Sequence, residues 1–360
     1  MANMTTRREI LSIGCALGVA AMLKGVAVAR TANTSTPAGP VDDPMSYVNP
    51  EFRGALQHML KTQGAGYPLN ASTLERARAG SAPWVIPPLP SPPVEEKMIP
   101  GPAGSPDVRV YVVGASPGAT KPAVLHIHGG GYVAGSASSE RRNIQELSAS
   151  LDCVVVSVDY RLAPETPFPG SLGDNYAALR WIYSQAKELG VDAKRIAIKG
   201  ESAGGGHAAM LAIAARDRGE IPICFQVLIY PMLDDRTGSS QHVPSFIGNY
   251  VWTEDSNRFG WTSLLGVPAG SSGVPANAVP ARVSSVAGLP PAFIGTGSVD
   301  LFGQEDIDYA GRLISAGVST ELNVVPGGFH GFDVIVPQAN LSLQFTQAWK
   351  SALHRAFTKS

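Results

Sequence analysis

Gly200-Glu201-Ser202-Ala203-Gly204 places a serine hydroxyl among small residues, in the pattern G-x-S-x-G. A serine can act as a nucleophile when a turn lifts it clear of the backbone and a base takes its proton. The small residues at 200, 203 and 204 permit such a turn, and their neighbours indicate what it joins. Arg195-Ile196-Ala197-Ile198-Lys199 is short and partly apolar, as a strand would be. Residues 205–218 are rich in alanine and leucine, as a helix would be. A helix starting there points N–H groups and a positive dipole toward the hydroxyl. The implied chemistry is acyl transfer through Ser202.

Acyl transfer builds negative charge on the carbonyl oxygen, which needs donors already in place. Pro122-Ala123-Val124-Leu125-His126-Ile127-His128 reads as a buried strand that runs into Gly129-Gly130-Gly131-Tyr132. Three glycines let the backbone turn its N–H groups to one point with no Cβ in the way. Gly129, Gly130 and Gly131 are therefore expected to form an oxyanion hole, with the Ala203 N–H as a further donor. A phosphate-binding loop would require G-x-x-x-x-G-K-[ST], and neither Lys-Ser nor Lys-Thr follows here.

The serine needs a base, and the base an orienting acid. Of seven histidines, His330 stands in Pro326-Gly327-Gly328-Phe329-His330-Gly331-Phe332, a glycine-rich loop between a strand-like segment and a final helix. It is the expected base. His126 alternates along a buried strand and reads as a core residue. His128 shapes the glycine run, His207 follows the serine turn, and His58 and His354 read as helix-surface positions. A histidine base works only when neutral, so activity is expected to fall on acidification.

For the acid, Asp300 stands at the end of the strand Pro291–Gly297, where functional residues collect in parallel sheets. Glu305, Asp306 and Asp308 compete, but they open a helical pattern over 304–316, where acidic residues favour the N-terminal dipole. Glu305 is the reserve. The order serine, acid, histidine is that of one hydrolase fold.

Ser202, Asp300 and His330, with His128-Gly129-Gly130-Gly131 and Asp159-Tyr160-Arg161-Leu162-Ala163-Pro164-Glu165, resemble the bacterial hormone-sensitive-lipase-like esterases. The resemblance runs from about residue 95 to the C-terminus. It implies an α/β-hydrolase fold with a small helical cap, and carboxylester hydrolysis with no metal or cofactor. The family commonly has Asp before the nucleophile and a D-P-L run at the acid. Here Glu201 and Asp300-Leu301-Phe302 stand instead, so the charge is kept and the acid's local turn differs. Arg161 and Glu165 read as ion-pairing residues that tie loops together.

The positioning elements follow the same logic. Strands are expected near 108–113, 122–128, 153–159, 194–199, 223–230, 290–296 and 320–325. Helices are expected near 139–151, 172–189, 203–217, 304–316 and 338–357. This alternation predicts an α/β fold with a mostly parallel central sheet and helices on both faces. Residues 45–82 carry helical patterns, and the segment 83–93 holds six prolines that forbid regular structure. The resemblance implies that residues 45–93 form an N-terminal cap segment, and 94–360 are expected to form the catalytic domain. An insertion at about 236–282 breaks the alternation and carries Phe246, Tyr250, Trp252, Phe259 and Trp261. It is expected to complete the cap and wall the acyl pocket, the alternative being a compact surface excursion. Tyr132 is expected to line that pocket.

The first 29 residues have a charged start with Arg7-Arg8, an apolar middle and the ending Ala27-Val28-Ala29, which describes a twin-arginine signal peptide. Lys24 interrupts the apolar run, which argues against a membrane span. Residues 30–44 read as a flexible linker, and the mature protein is expected to be periplasmic or secreted. With 360 residues, 44% hydrophobic, and a net charge of −1, the chain has no basic stripe for nucleic acid. Three cysteines, Cys15, Cys153 and Cys224, show no metal-binding spacing, and the last two read as buried free thiols. The expected partner is a small ester, with no stable membrane insertion, and a homodimer is left open. A lactonase, deacetylase or amidase using the same triad, or a non-catalytic binding module, are the alternatives.

Overall fold

The computed structural model describes residues 43–63, 69–80 and 87–358. The expected signal peptide and nearly all of the linker lie outside the described residues. Two helices come first, α1 (Pro50–Gln63) and α2 (Leu74–Gly80). An eight-stranded sheet follows: β1 (Val94–Ile99), β2 (Val108–Val113), β3 (Lys121–Ile127), β4 (Val154–Asp159), β5 (Val191–Glu201), β6 (Phe225–Ile229), β7 (Ala292–Gly297) and β8 (Thr320–Val325). The helices between and after them are α3 (Arg141–Leu151), α4 (Gly170–Ser184), α5 (Ala186–Leu189), α6 (Ala203–Arg218), α7 (Glu254–Leu265), α8 (Gly303–Ser315), α9 (Phe332–Ile335) and α10 (Asn340–Thr358). Strand order is β1-β2-β4-β3-β5-β6-β7-β8; β2 pairs antiparallel with β1 and β4, and the rest of the sheet is parallel.

Continuous apolar runs make these strands because both sheet faces are covered. Val154, Val156 and Val158 of β4 belong to one buried cluster that also includes Leu179 of α4, Leu211 of α6 and Leu313 of α8. Val155 points the other way, to Ile144 of α3 and Leu353 of α10. Strand β1 was missed in the sequence because Val-Glu-Glu-Lys-Met-Ile is an edge strand, charged and mostly solvated. The helix expected over 172–189 divides at Gln185 into α4 and α5.

Residues 45–93, expected as one cap segment, divide their packing. Phe52 and Leu56 of α1 pack into the sheet body with Phe329, Phe332 and Phe345. Leu69 and Leu74 instead join a third cluster with Trp252, Trp261, Leu264 and Leu265 of the insertion. The insertion contains α7, whose ends are signalled in the sequence: Thr253 caps Ser256 N, Glu254 and Asp255 occupy the first turn, and Gly266 closes the helix at φ +70°. Cys153 is buried and Cys224 half-buried, both free, and burial pushes each thiol up to about 12. Among the described residues no helix is long and apolar enough to cross a membrane.

Candidate active site

Strand β5 ends at Glu201, and α6 begins at Ala203. Ser202 between them adopts φ +57° and ψ −123°, a backbone conformation that L-residues rarely hold. The surroundings enforce it. Ser202 N donates to Ile229 O at 2.9 Å, and Ser202 O accepts from Gly206 N and Met232 N at 3.0 Å each. A Cβ on Gly200 would stand 2.1 Å from Gly204 O, and one on Gly204 would stand 2.0 Å from Ile127 O, so the turn excludes larger residues.

Two loops at the carboxyl end of the sheet bring in the partners. Asp300 follows β7 and His330 follows β8, and the loops are stapled together: Ser298 N donates to Val325 O at 2.9 Å, Gly327 N to Ser298 Oγ at 2.8 Å, and Val299 N to Gly328 O at 3.1 Å. His330 Nδ1 lies 2.8 Å from Asp300 Oδ2, and His330 Nε2 lies 2.9 Å from Ser202 Oγ. The other carboxylate oxygen, Asp300 Oδ1, accepts from Phe302 N at 3.0 Å. An ionised carboxylate only accepts, so Nδ1 carries the imidazole proton and Nε2 is left to accept from the serine. The three side chains are nearly covered, with residues 202, 300 and 330 exposed by 8, 1 and 5%.

The glycine run lies against this turn. A Cβ on Gly129 would stand 3.0 Å from Glu201 O and 3.5 Å from the Ser202 Cβ. Gly130 and Gly131 adopt φ +120° and +61°. Ala203 opens α6, where backbone donors have no partner within the helix. The structure thus brings together Ser202, Asp300 and His330, with Gly129, Gly130, Gly131 and Ala203 beside them.

Glu305, the reserve acid, lies elsewhere. Its Oε1 accepts from Leu233 N at 2.7 Å and Asp234 N at 3.1 Å, and burial pushes its carboxyl well above the usual range. Tyr132 is buried, and its hydroxyl donates to Met232 O at 2.8 Å. His126 is the core residue expected of it, within 2.9 Å of Ser157 Oγ and 3.1 Å of Glu201, and burial pushes it down to about 3. Glu201 also contacts Lys199. His128 Nδ1 meets Gly129 O at 2.8 Å, and its ring stacks on Tyr160 at 4.2 Å. Arg161 forms a bidentate pair with buried Asp174, and Glu165 pairs with Arg78 at 2.8 Å, so both tie loops together.

Three aromatic residues around His330 were not singled out as site residues from the sequence. Ring centroids of Tyr230, Phe302 and Trp252 lie 4.8, 5.2 and 6.3 Å from its imidazole. Tyr230 also donates to Asp333 at 3.0 Å. None of these side chains carries a spacing signal, because the loops that hold them meet only in the fold.

Comparison with known proteins follows the same lines. Residues 124–334 match the family described as the alpha/beta hydrolase fold. Esterase LipI of Mycobacterium tuberculosis is 36% identical over 256 residues, spanning 68% of this chain and 78% of the relative. The ethyl acetate hydrolase of Pseudomonas putida is 34% identical over 212 residues, 58% of this chain and 65% of that one. Among solved structures, a bacterial heroin esterase superposes with a TM-score of 0.79 at 34% identity, covering 88% of this chain and all of the other. By sequence and architecture, the chain belongs to the hormone-sensitive-lipase-like α/β-hydrolases.

Proposed function

We propose that this protein is a carboxylic ester hydrolase that works through an acyl-enzyme on Ser202, with a preference for short-chain esters. The observation that carries it is the unbroken chain from Ser202 Oγ to His330 Nε2 at 2.9 Å and from His330 Nδ1 to Asp300 at 2.8 Å. The named activities of the relatives, esterase and ethyl acetate hydrolase, support the same class.

Ser202 Oγ attacks the ester carbonyl as His330 Nε2 takes its proton. Asp300 holds the imidazole tautomer and stabilises the imidazolium that forms. The backbone N–H groups of the 129–131 loop and of Ala203 receive the developing oxyanion. Collapse breaks the bond to the alcohol, which leaves with the proton from His330. Water, deprotonated by the same nitrogen, then releases the acid and restores the serine. The nearly covered triad, with Ser202, Asp300 and His330 all buried, supports small substrates over long acyl chains.

The test is hydrolysis of p-nitrophenyl esters from acetate to palmitate by the wild type beside Ser202→Ala. The variant should lose ~10⁴–10⁶ in kcat, and rates should fall with acyl length. Equal rates in the two proteins would sink the serine mechanism, and an inert wild type would turn attention to lactones and amides. We also propose that residues 1–29 export the chain to the periplasm or medium, on the strength of Arg7-Arg8 and the apolar run after them. Retention of an Arg7→Lys, Arg8→Lys double variant in the cytoplasm would support this, and undiminished export would remove the twin-arginine route.

A further inference from the structure

Trp252 stands immediately before α7, and its indole spans the site from one side to the other. A Cβ built on Gly131 would meet the Trp252 Cη2 at 2.2 Å, so the ring edge lies directly on the glycine run. The same ring faces His330, with centroids 6.3 Å apart. One side chain of the insertion thus lies against the loop expected to hold the oxyanion and stands beside the expected base.

The indole is held in place. Its Nε1 donates to Asn257 Oδ1 at 3.2 Å, and the buried Asn257 in turn donates to Thr237 O at 2.8 Å. Trp252 N donates to Tyr250 O at 2.8 Å. Val251, just before it, adopts φ +67°, which a β-branched residue takes only when its surroundings impose it. Tyr132, Trp261, Leu301 and Phe302 belong to the same packed cluster, and Trp252 itself is 9% exposed. A side chain fixed on both flanks acts as a wall.

The chemistry identifies what that wall faces. In the tetrahedral intermediate the oxyanion points at the glycine loop, and the alkoxy oxygen must lie within reach of His330 Nε2 to receive its proton. The acyl chain takes the remaining direction. A ring packed on the glycine loop and set beside the imidazole therefore stands over the alkoxy arm. Resting on the ester-hydrolase reading above, we propose that Trp252 sets the upper size of the alcohol part of the substrate and leaves the acyl part to other residues.

The test compares two ester series by pH-stat on the wild type, Trp252→Phe and Trp252→Ala. One series fixes acetate and lengthens the alcohol from methyl to benzyl; the other fixes ethanol and lengthens the acid from acetate to hexanoate. The ratio of kcat/KM for benzyl over methyl acetate should rise about ten- to a hundredfold in Trp252→Ala and less in Trp252→Phe. The hexanoate-to-acetate ratio should stay within about twofold, the ordinary scatter of a distant change. Each ratio is taken within one preparation, so a partly unfolded variant does not distort it, and the phenylalanine variant keeps an aromatic ring in the cluster. A shift in the acyl series, or in neither series, with wild-type activity intact would overturn the assignment of Trp252 alone. A wild type inert on every ester, and no different from Ser202→Ala, would overturn the ester-hydrolase reading and this proposal with it.

Discussion

At the residue scale, Gly131 makes two demands at once. Its φ of +61° is costly for any residue with a Cβ, and that Cβ would stand 2.2 Å from the Trp252 ring. Gly131→Ala should therefore displace the loop from Ser202 and lower kcat/KM on p-nitrophenyl acetate by ~10²–10³, the usual cost of losing one oxyanion donor. Adding Trp252→Ala should recover part of that loss, because the clash is with the indole. Strict additivity of the two changes would show that the wall and the loop do not touch. Ser202, Asp300 and His330, which the fold brings together, were legible in the sequence because each stands in a glycine-rich or strand-end context whose order along the chain is itself informative. Trp252, Tyr230 and Phe302 were not legible as neighbours of His330. Their distances from it in the chain follow no period, and only the closed fold makes them adjacent.

At the element scale, legibility tracked burial on two faces. The buried parallel strands β4, β6 and β7 read as largely apolar runs, and so their positions were plain from composition. The edge strand β1, with Glu95, Glu96 and Lys97 in succession against a single neighbour, carries no such run. Helix α7 bears its signals in its capping residues, Thr253 and Gly266, inside an insertion that breaks the strand–helix alternation. Helix α1 has the more consequential placement. Phe52 is fully buried, with its ring 6.1 Å from Phe329 and 5.2 Å from Phe332, the residues that bracket the His330 position. Phe52→Ala should cost ~3–5 kcal/mol of stability and should lower kcat as well, because the support beneath the base is loosened. Phe52→Leu, closer in volume, should largely preserve both. A lowered melting temperature with kcat untouched would limit α1 to a packing role.

At the scale of the whole molecule, the apolar sheet core carries a few acids that it holds against ionisation. Asp306, fully buried at the start of α8, is pushed well above the usual carboxylate range by burial first, then by the neighbouring Glu305 and Asp300. The unfolded chain ionises near the ordinary aspartate value of about 4, while the folded protein keeps the proton to higher pH. The folded state therefore binds more protons than the unfolded state across that window, and stability falls as pH rises through it. Asp306→Asn removes the titration. The melting temperature of the variant relative to the wild type should improve as pH rises above the ordinary aspartate value of about 4. A constant difference across that range would show that Asp306 ionises alike in both states.

The loop that carries His330 also rests on Asn49, whose N donates to Gly327 O at 3.0 Å and whose Nδ2 donates to Pro326 O at 3.1 Å. Segments from opposite ends of the described chain thus meet under the expected base, while the serine and the glycine run lie in the stretch between. The loop bearing His330 is therefore seated only once the two ends of the described chain have come together. The same closure makes trimming or tethering near Asn49 an intervention on the histidine at the far end of the sequence.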